Sequence, residues 1–346
     1  MKILAPVSSA QEAEILISEG ADELYCGLGF ETLSNKPGEK KQENDIWINR
    51  RNMGSANIRN LEALAQLVEL AHRRGAKVFL TLNQPGYAQE LHEEIMTFVR
   101  EVRNNCKVDA FIIADPGLIR ILMEKEPEIV IHVSSMAGIL NSSAVIFFKN
   151  LGVKRIIFPR YLETKTLRKI IEAAGTEMEY EVFIFNDGCV FEEAHCNISH
   201  TFGGAFCHNP AWNYKLIQAG GKGNAGVSGK TEAGKISGET FRQHLDEYKR
   251  WLWIGIKNFG GYSGTKYPLG MCGLCALPEY KEMGITSLKI IGREAPLRKK
   301  VRSVKLVKTI LDYVKEGHTP EEVRQYAKAV KGARGLCETG YMCYDR

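Results

Sequence analysis

The chain has 346 residues, of which 44% are hydrophobic and 25% charged, and Lys plus Arg exceed Asp plus Glu by 46 − 41 = 5. These proportions exclude collagen-like, disordered and small disulfide-scaffold classes, and the length is ample for a sizeable core. The positive surplus is too small to argue for nucleic acid, and the run Arg298-Lys299-Lys300-Val301-Arg302 has the spacing of a solvated helix face.

Short β-like runs alternate with amphipathic helical runs from the start. Lys2–Ala5 reads as a strand and Ala10–Glu19 as a helix; Glu23–Cys26 is a second strand. A polar loop, Asn35–Asn57, delays the next helix. Asn57 is its expected N-cap, Leu61, Leu64, Leu67, Val68 and Ala71 form its apolar face, and Gly75 stops it. Further strands are expected at 78–82, 110–114, 129–133, 155–158 and 181–185. Helices are expected at 90–102, 117–123, 142–150 and 167–174. The order breaks over 188–284, resumes with a strand at Ser287–Ile291 and a helix at Leu297–Lys315, and ends with a helix at Glu321–Lys331.

Eight βα units with one interruption predict an α/β fold, a TIM-like (β/α)₈ barrel with a large Cys-containing insertion between strands seven and eight. The expected organisation is 1–187 for seven units, 188–284 for the insertion at the barrel mouth, 285–316 for the eighth unit and 317–346 for a C-terminal helix and tail. A doubly wound open sheet is the alternative, but no strand is followed by a Gly-rich dinucleotide turn. Asn224–Thr231 only resembles a phosphate loop: its first glycine is missing and no apolar helix follows. No run of 18 apolar residues occurs, so no membrane span is expected. The opening residues lack a leader pattern, so a cytoplasmic location is expected.

Barrel active sites lie at the C-terminal ends of the strands. The residues expected there are Cys26, Asn83, Asp115, His132, Arg160, Asn186-Asp187 and Arg293. Asp115 is either a catalytic acid or the cap of the following helix. His132 is either a proton donor or a packed core histidine. Arg160 and Arg293 have the chemistry to clamp a carboxylate.

Nine cysteines are present, five of them at 189, 196, 207, 272 and 275. Dispersed thiols at a concave rim fit an iron–sulfur cluster better than a zinc knuckle, although zinc remains the alternative. His195, His200 and His208 are candidate donors around the metal. Cys272-x-x-Cys275 stands before a helix start with Pro278 near its first position, and Cys337 and Cys343 are tail thiols or a second metal site.

Several segments resemble a known family. They are Leu4-Ala5-Pro6 with Gly20–Tyr25 and Gly27, Ala71–Val78 through Asn83, Ile131–Ser134, Leu151–Arg155, and Leu277-Pro278-Glu279 through Met283-Gly284-Ile285 to Ser287–Arg293. Together they resemble peptidase family U32 over roughly residues 1–315. The resemblance implies a TIM-like barrel and a [4Fe–4S] cluster on Cys189, Cys196, Cys207 and Cys272. It also implies oxygen-independent hydroxylation of RNA or a quinone precursor, with prephenate as a co-substrate supplying the oxygen. A homo- or hetero-oligomer with another U32 protein is a further implication. The chain departs from the family pattern at Ile291, where Glu is usual, and at Cys207-His208-Asn209-Pro210.

The expected function is therefore a [4Fe–4S]-dependent hydroxylation or related redox modification of an organic, RNA or peptide substrate. His132, Arg160, Arg293 and Asp115 are the candidate catalytic residues. The alternatives are a zinc-stabilised binding or accessory protein and a peptidase. For the peptidase, neither a nucleophile triad nor H-E-x-x-H is present in sequence.

Overall fold

A computed structural model describes residues 1–29, 48–51, 54–186, 239, 242–247, 267–333, 335–340 and 343–345. Its centre is a closed, all-parallel barrel. In chain order the elements begin β1 (Lys2–Pro6), α1 (Ala10–Ser18), β2 (Glu23–Leu28), β3 (Asn57–Ile58), α2 (Leu61–Arg73), β4 (Lys77–Leu82) and α3 (His92–Cys106). They continue β5 (Ala110–Ile113), α4 (Pro116–Lys125), β6 (Ile131–Val133), α5 (Ser142–Asn150), β7 (Arg155–Ile157), α6 (Thr164–Ala174) and β8 (Glu179–Phe185). After the interruption come α7 (Leu277–Glu282), β9 (Ser287–Ile290), α8 (Leu297–Lys315) and α9 (Pro320–Lys331).

The barrel runs β1-β2-β4-β5-β6-β7-β8-β9 and closes through β9 onto β1, where Lys2, Ile3 and Leu4 lie opposite Ser287, Leu288 and Lys289. This is the TIM-like architecture expected from the count of βα units. The open-sheet alternative fails because β1 pairs on both sides.

Two details differ from the sequence reading. The two-residue β3 pairs with the end of β2, Gly27 opposite Asn57, and is too short to leave a periodic signal. Asn57 belongs to that strand, so the cap of α2 is Asn60, whose extended backbone lets its side chain accept from Ala63 N.

Alternation along the strands sends one set of side chains to the helices and the other into the lumen. In β2, Leu24, Cys26 and Leu28 join the outer core, while Tyr25 joins the inner cluster of Leu4, Phe79, Ala110, Ile112, Ile157, Phe183, Met271, Ile291 and Tyr344. Cys26, expected at the rim, thus faces the helices. Burial pushes its thiol up to about 12.

The N-terminal end of the lumen is charged and buried. Arg155 Nη1 and Nη2 each donate to a carboxylate oxygen of Glu23 at 2.8 Å. Arg155 also bonds Glu179 at 2.7 and 2.9 Å and Glu181 at 3.0 Å. Lys289 Nζ reaches Glu181 at 2.8 Å, and Ser287 Oγ donates to Glu23 at 2.7 Å. Burial would push Glu23 up, but the Arg155 hydrogen bond and charge hold its carboxyl below its ordinary range. For Arg155, burial opposes the charge, but Glu23, Glu181 and Glu179 dominate and raise its pKa.

Candidate active site at the barrel mouth

The opposite end of the lumen is the mouth. β9 ends in a turn at Gly292, whose φ of +114° is a region L side chains rarely adopt, and this turn aims Arg293 back over the barrel. Arg293 is only 7% exposed. Its Nη1 donates to Asn57 Oδ1 and Thr81 Oγ1, and its Nη2 to Asn49 Oδ1, each at 3.2 Å. All three acceptors are neutral.

The acceptors are themselves held in place. Asn49 Nδ2 donates to Leu28 O, Asn57 Nδ2 to Arg51 O, and Thr81 Oγ1 to Cys26 O. Gly27 is required here because a Cβ would run into Arg293 Nη1 and Asn57 Oδ1. Burial pushes the Arg293 pKa down to about 10, with opposing pulls from Tyr25 and Arg51. Neither Asn49 nor Asn57 was legible as a functional residue, because both follow from where β3 and its preceding loop pack.

Arg160 lies just beyond β7, its guanidinium carbon 4.7 Å from the centre of the Phe183 ring in the inner cluster. His132 sits deeper than the rim. It is the middle residue of β6, 3% exposed, edge-on to Phe79 at 4.5 Å between ring centres. Burial first, then the charges of Arg155 and Lys289, hold its pKa well below the ordinary value, so it is neutral near pH 7. Its Nδ1 is buried without a hydrogen-bond partner among the described residues.

Asp115 caps α4. Its Oδ1 accepts from Gly117 N at 2.7 Å and Leu118 N at 3.3 Å, and its Oδ2 from Tyr87 N at 2.8 Å. Both oxygens are committed to backbone donors. Asn83 serves the same rim by accepting from Arg50 N at 3.1 Å.

On the β8 side, residues 270–273 run along the strand end. Cys272 pairs antiparallel with Phe185, and Gly273 N donates to Ile184 O. Cys272 is buried, and Lys331 Nζ, 2% exposed, donates to its Sγ at 2.9 Å and to Gly270 O at 2.8 Å. The C-terminal residues lie against this segment. Cys343 pairs with Cys272 in an isolated parallel backbone bridge, neither thiol being in a disulfide, Tyr344 N donates to Cys272 O, and the buried Tyr344 hydroxyl donates to Asn186 O. Asp345 accepts from Thr164 N at 2.9 Å.

Cys272 therefore stands beside Phe185 and Asn186, where the segment bearing Cys189 departs. Cys189, Cys196 and Cys207, with His195, His200, His208 and Asp187, lie outside the described residues. As a cluster ligand Cys272 fits: its sulfur is buried and accepts a hydrogen bond from Lys331 Nζ. Among the described residues no group of three or more His, Cys, Asp or Glu side chains is arranged to hold a metal ion. No described helix is long and apolar enough to cross a membrane.

Comparison with known proteins gives a consistent family. tRNA hydroxylation protein P1 of Bacillus subtilis is 23% identical over 317 residues, covering 90% of this chain and 63% of that protein. tRNA hydroxylation protein P of Helicobacter pylori strain J99 is 28% identical over 201 residues, 58% of this chain and 42% of that one. The 23S rRNA 5-hydroxycytidine C2501 synthase of Escherichia coli is 30% identical over 200 residues, 58% of this chain and 26% of that one. The chain thus spans about a quarter to two thirds of the length of these relatives. A solved U32 peptidase structure aligns with a TM-score of 0.41 at 14% identity, covering 53% of this chain and 68% of that one. The model of peptidase family U32 matches residues 8–346, and the chain belongs to that family.

Proposed function

We propose that the protein is an iron–sulfur enzyme that hydroxylates RNA, with the barrel mouth as its active site. Two lines support this reading. Its relatives in Bacillus, Helicobacter and Escherichia are named for tRNA or rRNA hydroxylation. The structure brings Cys272, its sulfur buried and hydrogen-bonded by Lys331, to the lip where the remaining cysteine-bearing segment leaves β8. The position of Cys272 is the observation that carries the reading.

In this proposal Cys189, Cys196, Cys207 and Cys272 hold a [4Fe–4S] cluster, which supplies one-electron chemistry when bound. The chain's own residues do the rest. Phe183 and Arg160 form one wall of the mouth, and Arg293 forms the opposite corner. His132 lies below as a neutral imidazole able to accept a proton or a hydrogen bond. Asp115 holds the β5–α4 turn and the Tyr87 backbone in place rather than meeting substrate. An organic acid such as prephenate is the proposed oxygen source.

The test is anaerobic purification with iron and sulfide analysis and an EPR spectrum, beside an assay of hydroxylated nucleosides in tRNA and rRNA. About four irons per chain in the wild type and a loss of iron in Cys272→Ser are expected. A colourless protein with one zinc, or full iron retention by Cys272→Ser, would sink the cluster assignment. Iron-loaded protein that hydroxylates no RNA would sink the substrate assignment.

A further inference from the structure

The C-terminal tail meets the barrel mouth at a pair of cysteines. Cys272 and Cys343 face each other across an isolated parallel bridge, which Tyr344 N closes by donating to Cys272 O at 3.0 Å. Lys331 Nζ fixes the Cys272 sulfur at 2.9 Å. Bridged strands stand about 4.8 Å apart, and residues directly opposite one another send their side chains to the same face. A disulfide needs Cα atoms roughly 4.4–6.8 Å apart and Cβ vectors that do not diverge. The register of this pair suits both conditions.

The tail can make the remaining adjustment. Cys343 is half-buried, and Gly335 and Gly340 turn the chain before it at φ of +76° and +70°. Single main-chain bonds, Gly340 N to Cys337 O and Cys343 N to Gly340 O, carry that stretch to the bridge. Beyond the bridge the anchoring is firmer: Tyr344 joins the inner cluster and Asp345 holds the first turn of α6.

The other nearby thiols are worse placed. Cys275 lies inside the Leu274–Ala276 turn, off the bridged segment. Burial, with the charges of Cys272, Cys343 and Cys337, pushes its thiol up to about 12, which makes it a poor attacking group. Cys337 sits on the turn that begins at Ala333, and burial pushes its thiol up as well.

We infer that Cys272 and Cys343 form a reversible disulfide latch that fastens the tail to the barrel mouth when Cys272 holds no metal. The reaction is thiol–disulfide exchange with a small disulfide such as oxidised glutathione. One protein thiol attacks the reagent's S–S bond and releases one reagent thiol. The second protein thiol then attacks the mixed disulfide and releases the other. One S–S bond breaks and one forms; the protein thiols are oxidised, the reagent is reduced, and both protons leave on its thiols. A thiol reductant reverses the step. The latch stands on the bridge alone. Its consequence for iron rests on Cys272 being a cluster ligand, as proposed above: a sulfur held in a disulfide has no thiolate to offer iron. The latch also keeps that sulfur from irreversible oxidation, in a form that reduction restores.

The test uses the full chain, stripped of metal by a chelator under reducing, anaerobic conditions and then exposed to oxidised glutathione. Remaining thiols are alkylated, and disulfides are located by peptide mass mapping. The variants are Cys343→Ser, Cys337→Ser and Cys275→Ser. In the wild type the peptide holding Cys272 should be joined to the peptide holding Cys343, and dithiothreitol should separate them. Cys337→Ser and Cys275→Ser should keep that link. In Cys343→Ser the exchange stops at the mixed disulfide, so the glutathione adduct on Cys272 should be about tenfold more abundant than in the wild type.

No link in the wild type under fully oxidised glutathione, or a link from Cys272 to Cys275 or Cys337 in its place, would overturn the inference. Iron and sulfide reconstitution of the same preparations separates the two proposals. A latched wild type that takes up iron only after reduction supports both. A latch that forms in the wild type while Cys272→Ser retains full iron keeps the latch and removes the cluster assignment. Iron that depends on Cys272, in a protein that forms no latch, does the reverse.

Discussion

Replacing Arg155 by Met removes the hub of the barrel floor, and the structure sets the size of the effect. The guanidinium makes five hydrogen bonds to three carboxylates. Not all three are stranded by its loss. Glu181 keeps Lys289 at 2.8 Å, and Glu179, whose side chain is 26% exposed, has water. Glu23, 1% exposed, is left with the Ser287 hydroxyl and Lys2 at 3.5 Å. The variant thus strands one buried carboxylate rather than three, for a loss of about 3–5 kcal/mol at pH 7. Urea unfolding followed by far-UV circular dichroism measures it. The pH dependence supplies a second check. In the wild type Glu23 has a lowered pKa, so its stabilisation is present above the unfolded value of about 4.3 and is lost as pH falls through the lower folded value. In the variant burial outweighs what Ser287 and Lys2 still contribute, the folded pKa rises, and Glu23 takes up a proton as the pH falls. The gap between wild type and variant must therefore be full at pH 7 and close on acidification. A loss under about 1 kcal/mol, or a gap that stays constant down to acid pH, would refute the reasoning.

Three further outcomes follow from named contacts. Asp115→Ala should cost about 1–2 kcal/mol in thermal or urea unfolding through loss of the α4 cap, while Asp115→Asn should keep the cap but lose the bond from Tyr87 N, since its Nδ2 cannot accept, at a cost of about 1 kcal/mol with hydroxylation retained; loss of activity beyond the loss of folded protein in Asp115→Asn would show a chemical role. Lys331→Met should lower the reduction potential of the proposed cluster, by roughly 40 mV for each kcal/mol of lost N–H···S bonding, as read by potentiometric EPR titration; an unchanged potential would detach Cys272 from the cluster. Tyr344→Ala should destabilise by about 3–5 kcal/mol, since a buried aromatic ring of the inner cluster is deleted, and a loss below 1 kcal/mol would show that the tail is not docked.

The fold was legible because its elements carry strong periods. The helices at 142–150 and 297–315 match their expected bounds, since a capping Asn141 precedes the first and Pro296 the second. The rim positions of Arg160 and Arg293 followed from their place just after strands six and eight of the sequence reading. What stayed hidden is what long-range closure creates. Glu23 and Arg155 are 132 residues apart, and each alone reads as a surface charge at a strand start. His132 reads as a rim residue because it stands one residue before the end of its strand, but it lies opposite Arg155, the first residue of β7, and this register leaves the ring low in the lumen. Asn57 was read as a helix cap because two asparagines, at 57 and 60, precede the same apolar run, and only the pairing with Gly27 distinguishes them. The cysteine pattern was visible, but of the four proposed ligands only Cys272 is placed.

The ionic layer at the N-terminal end also governs traffic. With Arg155, Glu23 and Glu181 each no more than 2% exposed, the described residues close the barrel at its floor, so nothing passes through it from end to end. A molecule bound at the mouth has to come and go on the side of Arg160 and Arg293. A bulky polymer resting on the lip would therefore trap a small molecule beneath it. If both are used in one turnover, the small acid has to arrive first and its spent remainder has to depart last.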